Sequence, residues 1–73
     1  MITHLEGVLR TANPTGAVID VGGVGYEVAI PLSTFDRLPR VGCRVTVLTH
    51  LHLREDGATL YGFMTAEERS LFR

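Results

Sequence analysis

Apolar and polar residues alternate along most of this chain at a period of two rather than the 3.6 of a helix, so it reads as a series of strands. The longest such run holds Val45, Val47, Leu51 and Leu53 at one parity, and Leu60 to Phe63 supplies an apolar return. Between them stands Arg54-Glu55-Asp56-Gly57, which predicts a β-hairpin with a buried body and an acidic tip. Asp-Gly supplies the positive φ that a tight hairpin turn needs. That gives a backbone reason for Asp56-Gly57 but none for Glu55, which is either a solvated turn residue or a functional one.

The remaining elements follow in order. Residues 2–11, with Leu5, Val8 and Leu9 around Gly7, fit a first strand with a bulge or bend at the glycine. Asn13-Pro14-Thr15-Gly16 is a turn, and residues 17–21 are a β-branched second strand. Gly22-Gly23 is a hairpin turn into a third strand whose Val24, Tyr26, Val28 and Ile30 share one face. Pro31 ends it. Residues 33–38 predict a helical turn with Ser33 as N-cap, closed by Pro39. The long strand then spans residues 43–54. Thr65-Ala66-Glu67-Glu68 is a capping box opening a helix that carries Leu71 and Phe72. This order predicts an all-β, five-stranded OB-fold Greek-key barrel, with a short helix between strands 3 and 4 and the start of a C-terminal helix. An SH3-like barrel is the alternative. The barrel domain is placed at residues 1–64. Residues 65–73 read as the start of a helix leading into a second domain absent from this chain, because so short a helix with apolar residues at its end needs something to pack on.

Composition narrows the function. Seventy-three residues make one small domain, and a hydrophobic fraction of 45% argues against disorder. A formal net charge of -1 is a poor match to a free-standing nucleic-acid binder, so most positive charge for such a partner would lie elsewhere. Cys43 is the lone cysteine, which fits a reducing compartment. No apolar run approaches the roughly 20 residues of a membrane span. A soluble, cytoplasmic protein is expected.

Candidate chemistry is sparse. Gly22-Gly23-Val24-Gly25 lacks the helix and the Lys-Ser/Thr of a phosphate loop. His50 and His52 share a strand face with Arg54, opposite in parity to Cys43, and two ligands do not make a zinc site. That face reads as exposed or partner-facing. No serine or threonine has a convergent His-Asp pair, and Cys43 sits in an apolar strand context, so an enzyme is disfavoured and no metal or cofactor is expected. The aromatics Tyr26, Phe35, Tyr61, Phe63 and Phe72 read mostly as core rather than base-stacking platforms. From the residues alone the competing functions are a generic OB-fold module for single strands or a protein partner, and a purely structural oligomerisation domain.

Val21-Gly22-Gly23-Val24-Gly25-Tyr26-Glu27-Val28, Pro31-Leu32-Ser33-Thr34-Phe35, Thr49-His50, Arg54-Glu55-Asp56, Leu60-Tyr61-Gly62-Phe63 and Glu68-Arg69-Ser70-Leu71-Phe72 occur in that order. As an ordered set they resemble the N-terminal domain of the RuvA family, Holliday-junction-binding subunits of the bacterial branch-migration complex. The resemblance covers the whole chain. It implies an OB-fold first domain of a non-catalytic homotetramer that binds four-way junction DNA and works with a RuvB-type hexameric, ATP-driven motor through a further domain not present here. It implies that Glu55 and Asp56 are the acidic pin at the junction centre, with Arg54 close to DNA. It also accounts for the missing basic charge, which the family carries in helix-hairpin-helix motifs beyond Arg73.

Overall fold

A computed structural model describes residues 2–72 of the chain. The elements are β1 (His4–Asn13), β2 (Gly16–Val21), β3 (Val24–Ala29), α1 (Leu32–Phe35), β4 (Arg44–Arg54), β5 (Gly57–Phe63) and α2 (Ala66–Phe72). The strands close a barrel in the order β1-β2-β3-β5-β4, with β4 returning to β1. Every pairing is antiparallel except that of β3 with β5, which is parallel and rests on one residue pair, Ala29 and Tyr61. This is the all-β OB-type barrel with two short helices that the element order predicts.

Alternation decides what the barrel encloses. Leu5 and Leu9 from β1, Ala17 and Ile19 from β2, Val28 from β3, Val45 and Val47 from β4 and Phe63 from β5 all point inward and are buried, with Ile30 beside them. Fully burying one such side chain stabilises the fold by about 1.5–3 kcal/mol. Thr49 continues the inward row on β4, and its hydroxyl donates to the Ile2 carbonyl at 2.7 Å, so this buried polar group is satisfied.

The irregularity in β1 is not at Gly7. It lies between Leu9 and Thr11, where Arg10 has no partner in β2. Gly7 is an inward position in phase with Leu5 and Leu9, and β2 passes so close that a Cβ there would collide with the Asp20 carbonyl oxygen. Arg10, set off by the bulge, pairs its Nε with Asp20 at 3.0 Å. The other oxygen of Asp20 accepts the Gly23 N–H at 2.8 Å. The Gly23 N–H, and after it Arg10, hold the Asp20 carboxyl below the usual carboxylate range. Gly22 and Gly23 have φ of 60° and 94°, as a primed two-residue turn requires.

Three local expectations are corrected. Pro31, not Ser33, is the N-cap of α1, because Ser33 lies inside the turn and its hydroxyl donates to the Glu68 carboxylate instead. Val24 opens β3 at the mouth of the turn and is 54% exposed, so the buried face of that strand begins only with half-buried Tyr26. Cys43 is exposed and precedes β4 rather than lying in an apolar strand.

Candidate functional site at the tip of the β4–β5 hairpin

The tip is positioned by a hairpin that outruns the barrel. Val45, Val47 and Thr49 are buried, Leu51 is half-buried, and Leu53 at the same parity is 71% exposed. The expected burial of Leu53 is therefore not found. Pairing nevertheless continues through Leu51 with Leu60, His52 with Thr59, Leu53 with Ala58 and Arg54 with Gly57. Four residues at about 3.3 Å each carry the tip roughly 13 Å beyond the last half-buried pair. Since the ladder runs to its end, the projection is a braced ribbon rather than a loose loop.

Two residues, Glu55 and Asp56, make the connection. This corrects the expectation that Asp56 and Gly57 are the central turn pair. Gly57 is the first residue of β5, at φ 151°, while no non-glycine residue among those described has positive φ. The glycine thus supplies the unusual backbone one position later, leaving both central positions open to ordinary side chains, and both hold carboxylates. Among the described residues neither carboxylate accepts a hydrogen bond or forms an ion pair, so their charge faces solvent uncompensated. Arg54 is exposed, and its guanidinium leans back toward the Thr59 hydroxyl at 3.5 Å, a contact too long to fix it. The structure therefore brings Arg54, Glu55, Asp56 and Gly57 together at the tip, and leaves Gly22 and Gly23 in the separate β2–β3 turn.

On one side the hairpin base is covered by α2. Phe72 packs with ring centroids 4.5 Å from Tyr61, 5.2 Å from Phe63 and 5.7 Å from His50, while His52, exposed and nearer the tip, meets Tyr61 edge-on at 6.4 Å. The His50 and His52 face is thus only partly open, and Tyr61 and Phe72 form an exterior cluster rather than core. Leu71, by contrast, is 81% exposed. α2 is held at its other end by the expected cap, with the Glu68 N–H donating to the Thr65 hydroxyl at 3.1 Å. The Glu68 carboxylate, rather than only turning back on its own helix, accepts the hydroxyls of Ser33, Thr34 and Thr65. Ser33 chiefly, with Thr34, holds that carboxyl below its usual range against the opposing cost of burial. Arg69 donates to the Thr3 carbonyl at 3.0 Å. Sequence reasoning missed this docking. The i, i+3 spacing of Thr65 and Glu68 marked the cap, but nothing marked Ser33 and Thr34 as the partners of Glu68.

Among the described residues no three His, Cys, Asp or Glu side chains lie together as metal ligands, and no helix is long and apolar enough to cross a membrane.

The family model for the RuvA N terminal domain matches residues 1–62. Across all 73 residues the chain is 56% identical to the protein named Holliday junction branch migration complex subunit RuvA of Leptothrix cholodnii, covering 38% of that protein. The proteins of the same name from Paraburkholderia phytofirmans and Idiomarina loihiensis are 56% and 49% identical over the same residues, with 38% and 36% of their lengths covered. The chain thus spans well under half the length of these relatives. Identity at this level, together with a family model that reaches into every strand of the barrel, shows that the chain belongs to the RuvA N terminal domain family.

Proposed function

We propose that this chain is the N-terminal domain of a Holliday-junction branch-migration subunit, and that its part in that work is to present Glu55 and Asp56 as an acidic pin at the centre of the four-way junction. In this reading residues 1–64 are the barrel domain, and residues 65–73 begin the helix that leads into a second domain. The protein is a cytoplasmic homotetramer without catalytic residues of its own. It works with a separate RuvB-type, ATP-driven hexameric motor, which it meets through a further domain. The observation that carries the reading is a hydrogen-bonded hairpin that outruns its barrel and ends in two adjacent unpaired carboxylates. It is supported by about half identity to proteins named for this complex.

The physics of the reading is exclusion. Phosphate contacts made elsewhere in the protein would fix DNA in place without reading sequence, which suits a target recognised by shape. Four copies would gather about eight carboxylates around the symmetry axis, where they repel phosphates within roughly a Debye length of 10 Å at 0.1 M salt. A continuous duplex laid across the centre is penalised, whereas a junction, whose strands part there, is not. Arg54 beside the carboxylates gives the tip one group that attracts phosphate at its margin.

The test is competition binding of junction and duplex DNA to the protein at the length of its relatives, with wild type compared to Glu55→Gln/Asp56→Asn. Loss of selectivity in the variant is the expected result. Unchanged selectivity at low salt removes the carboxylates from the mechanism.

A further inference from the structure

The barrel has one weak seam. Between β3 and β5 only Ala29 and Tyr61 are paired, and the two strands splay apart from there. Among the described residues, the edges at residues 27–28 of β3 and 58–60 of β5, which come together beside the β1–β2 hairpin, find no partner strand there and make no loop hydrogen bonds either. The seam opens into a cleft of about 390 Å³, whose walls include Thr11, Thr15, Glu27, Ala29, Thr59 and Leu60. Two unpaired strand edges facing one another offer N–H and C=O groups to an incoming extended backbone.

The lining decides which polymer enters. A nucleic-acid groove needs cations for phosphate and aromatic faces for bases. This cleft has neither: no lysine, arginine, histidine or aromatic side chain lines it, and its one charged residue is Glu27. The carboxylates of Glu55 and Asp56 stand at the end of the β4–β5 hairpin that forms one wall and, offset only in part by the Arg54 guanidinium that leans toward Thr59, add to the negative potential. An extended polypeptide fits on both counts. Its backbone satisfies the two edges, and basic side chains at alternate positions answer Glu27 and the tip.

We infer that the β3–β5 cleft is a docking site for an extended, basic segment of a partner protein, which adds a strand between β3 and β5. This surface adjoins the carboxylate tip and draws on its charge, but it does not depend on the junction reading. The small side chains Ala29 and Ala58 leave room for the inserted backbone, and the hydroxyls of Thr11, Thr15 and Thr59 meet its polar groups.

The test is an amide NMR titration of the ¹⁵N-labelled chain with a capped Lys-Val-Lys-Thr-Lys-Val-Lys peptide. Its Glu-for-Lys counterpart and a short oligodeoxythymidine are titrated in parallel. The lysine peptide is expected to shift the amides of residues 27–29 and 58–60 and to slow their exchange with solvent. Glu27→Lys, at an exposed position, should weaken that binding about tenfold, and Glu27→Gln by less, with both melting as wild type does. The inference is overturned if the lysine peptide leaves those amides unmoved, or if the glutamate peptide binds as well. It is equally overturned if the oligonucleotide takes the cleft in preference, or if copies of the chain cover these edges themselves and the peptide does not displace them.

Discussion

Neutralising the tip with Glu55→Gln/Asp56→Asn isolates charge from shape, because neither side chain contributes a hydrogen bond to the fold and both positions have ordinary negative φ. The barrel should therefore melt as before, within about 0.5 kcal/mol. Binding should change by an amount that can be worked out. A carboxylate and a phosphate about 10 Å apart in water repel by roughly 0.4 kcal/mol, and one Debye length of screening at 0.1 M salt leaves about 0.15. If each of the two carboxylates faces about two phosphates, one copy contributes roughly 0.6 kcal/mol, about a threefold change in affinity. Four copies acting together reach about 2.4 kcal/mol, or roughly fiftyfold. The gain should be larger for continuous duplex, which lays phosphates over the tips, than for a junction that opens there. The assay is a pair of salt titrations on the full-length proteins. The difference between wild type and variant should grow below 0.1 M salt and vanish near 1 M, where the screening length is about 3 Å. A junction-to-duplex ratio equal in both proteins at low salt refutes the reasoning, and so does a difference that ignores salt.

Other substitutions test the frame that carries the tip. Gly7→Ala should cost about 3 kcal/mol or more, since its Cβ would meet backbone rather than a side chain that can move aside; a loss under about 1 kcal/mol in urea unfolding would show that β1 and β2 are farther apart than described. Gly23→Val should cost about 1–3 kcal/mol, read as a lower Tm, because a β-branched residue is strained at φ 94°. The folded Glu68 carboxyl is more acidic than the unfolded one, so its contribution is complete above the unfolded value of about 4.5 and is lost as pH falls through the lower folded value. Glu68→Gln should thus flatten the acid limb of a stability-against-pH curve; an unchanged limb would mean that Ser33 and Thr34 do not hold this carboxylate in solution.

Much of the fold was readable because alternation is a local signal. The glycine pair at residues 22–23 and the cap at Thr65 could be placed from a few residues each. The misreadings share one cause, a partner distant in sequence. Gly7 looked like a bulge because the close approach that demands a glycine there is made by Asp20, 13 residues away. Ser33 looked like a cap because nothing near it revealed Glu68, 35 residues away. Leu53 looked buried because its parity is right, but parity does not say where the neighbouring strands stop. At the tip, the carboxylates and the glycine were visible as residue types. Which two of the three occupy the centre of the turn depends on register, and the pairing of Arg54 with Gly57 settles it.

That register also limits how the projection can vary. A residue added to each strand of the ladder would turn the side chains beyond it onto the opposite face, exchanging the row of His50, His52 and Arg54 for that of Leu51 and Leu53. Length can therefore change without disturbing either face only by two residues per strand at a time, a step of about 6.6 Å. The reach of the hairpin is quantised. A lineage that needs a slightly different spacing at its far end has no small move available in the ladder, whereas the charge at positions 55 and 56 can be altered one substitution at a time, so charge is the easier variable for selection to adjust.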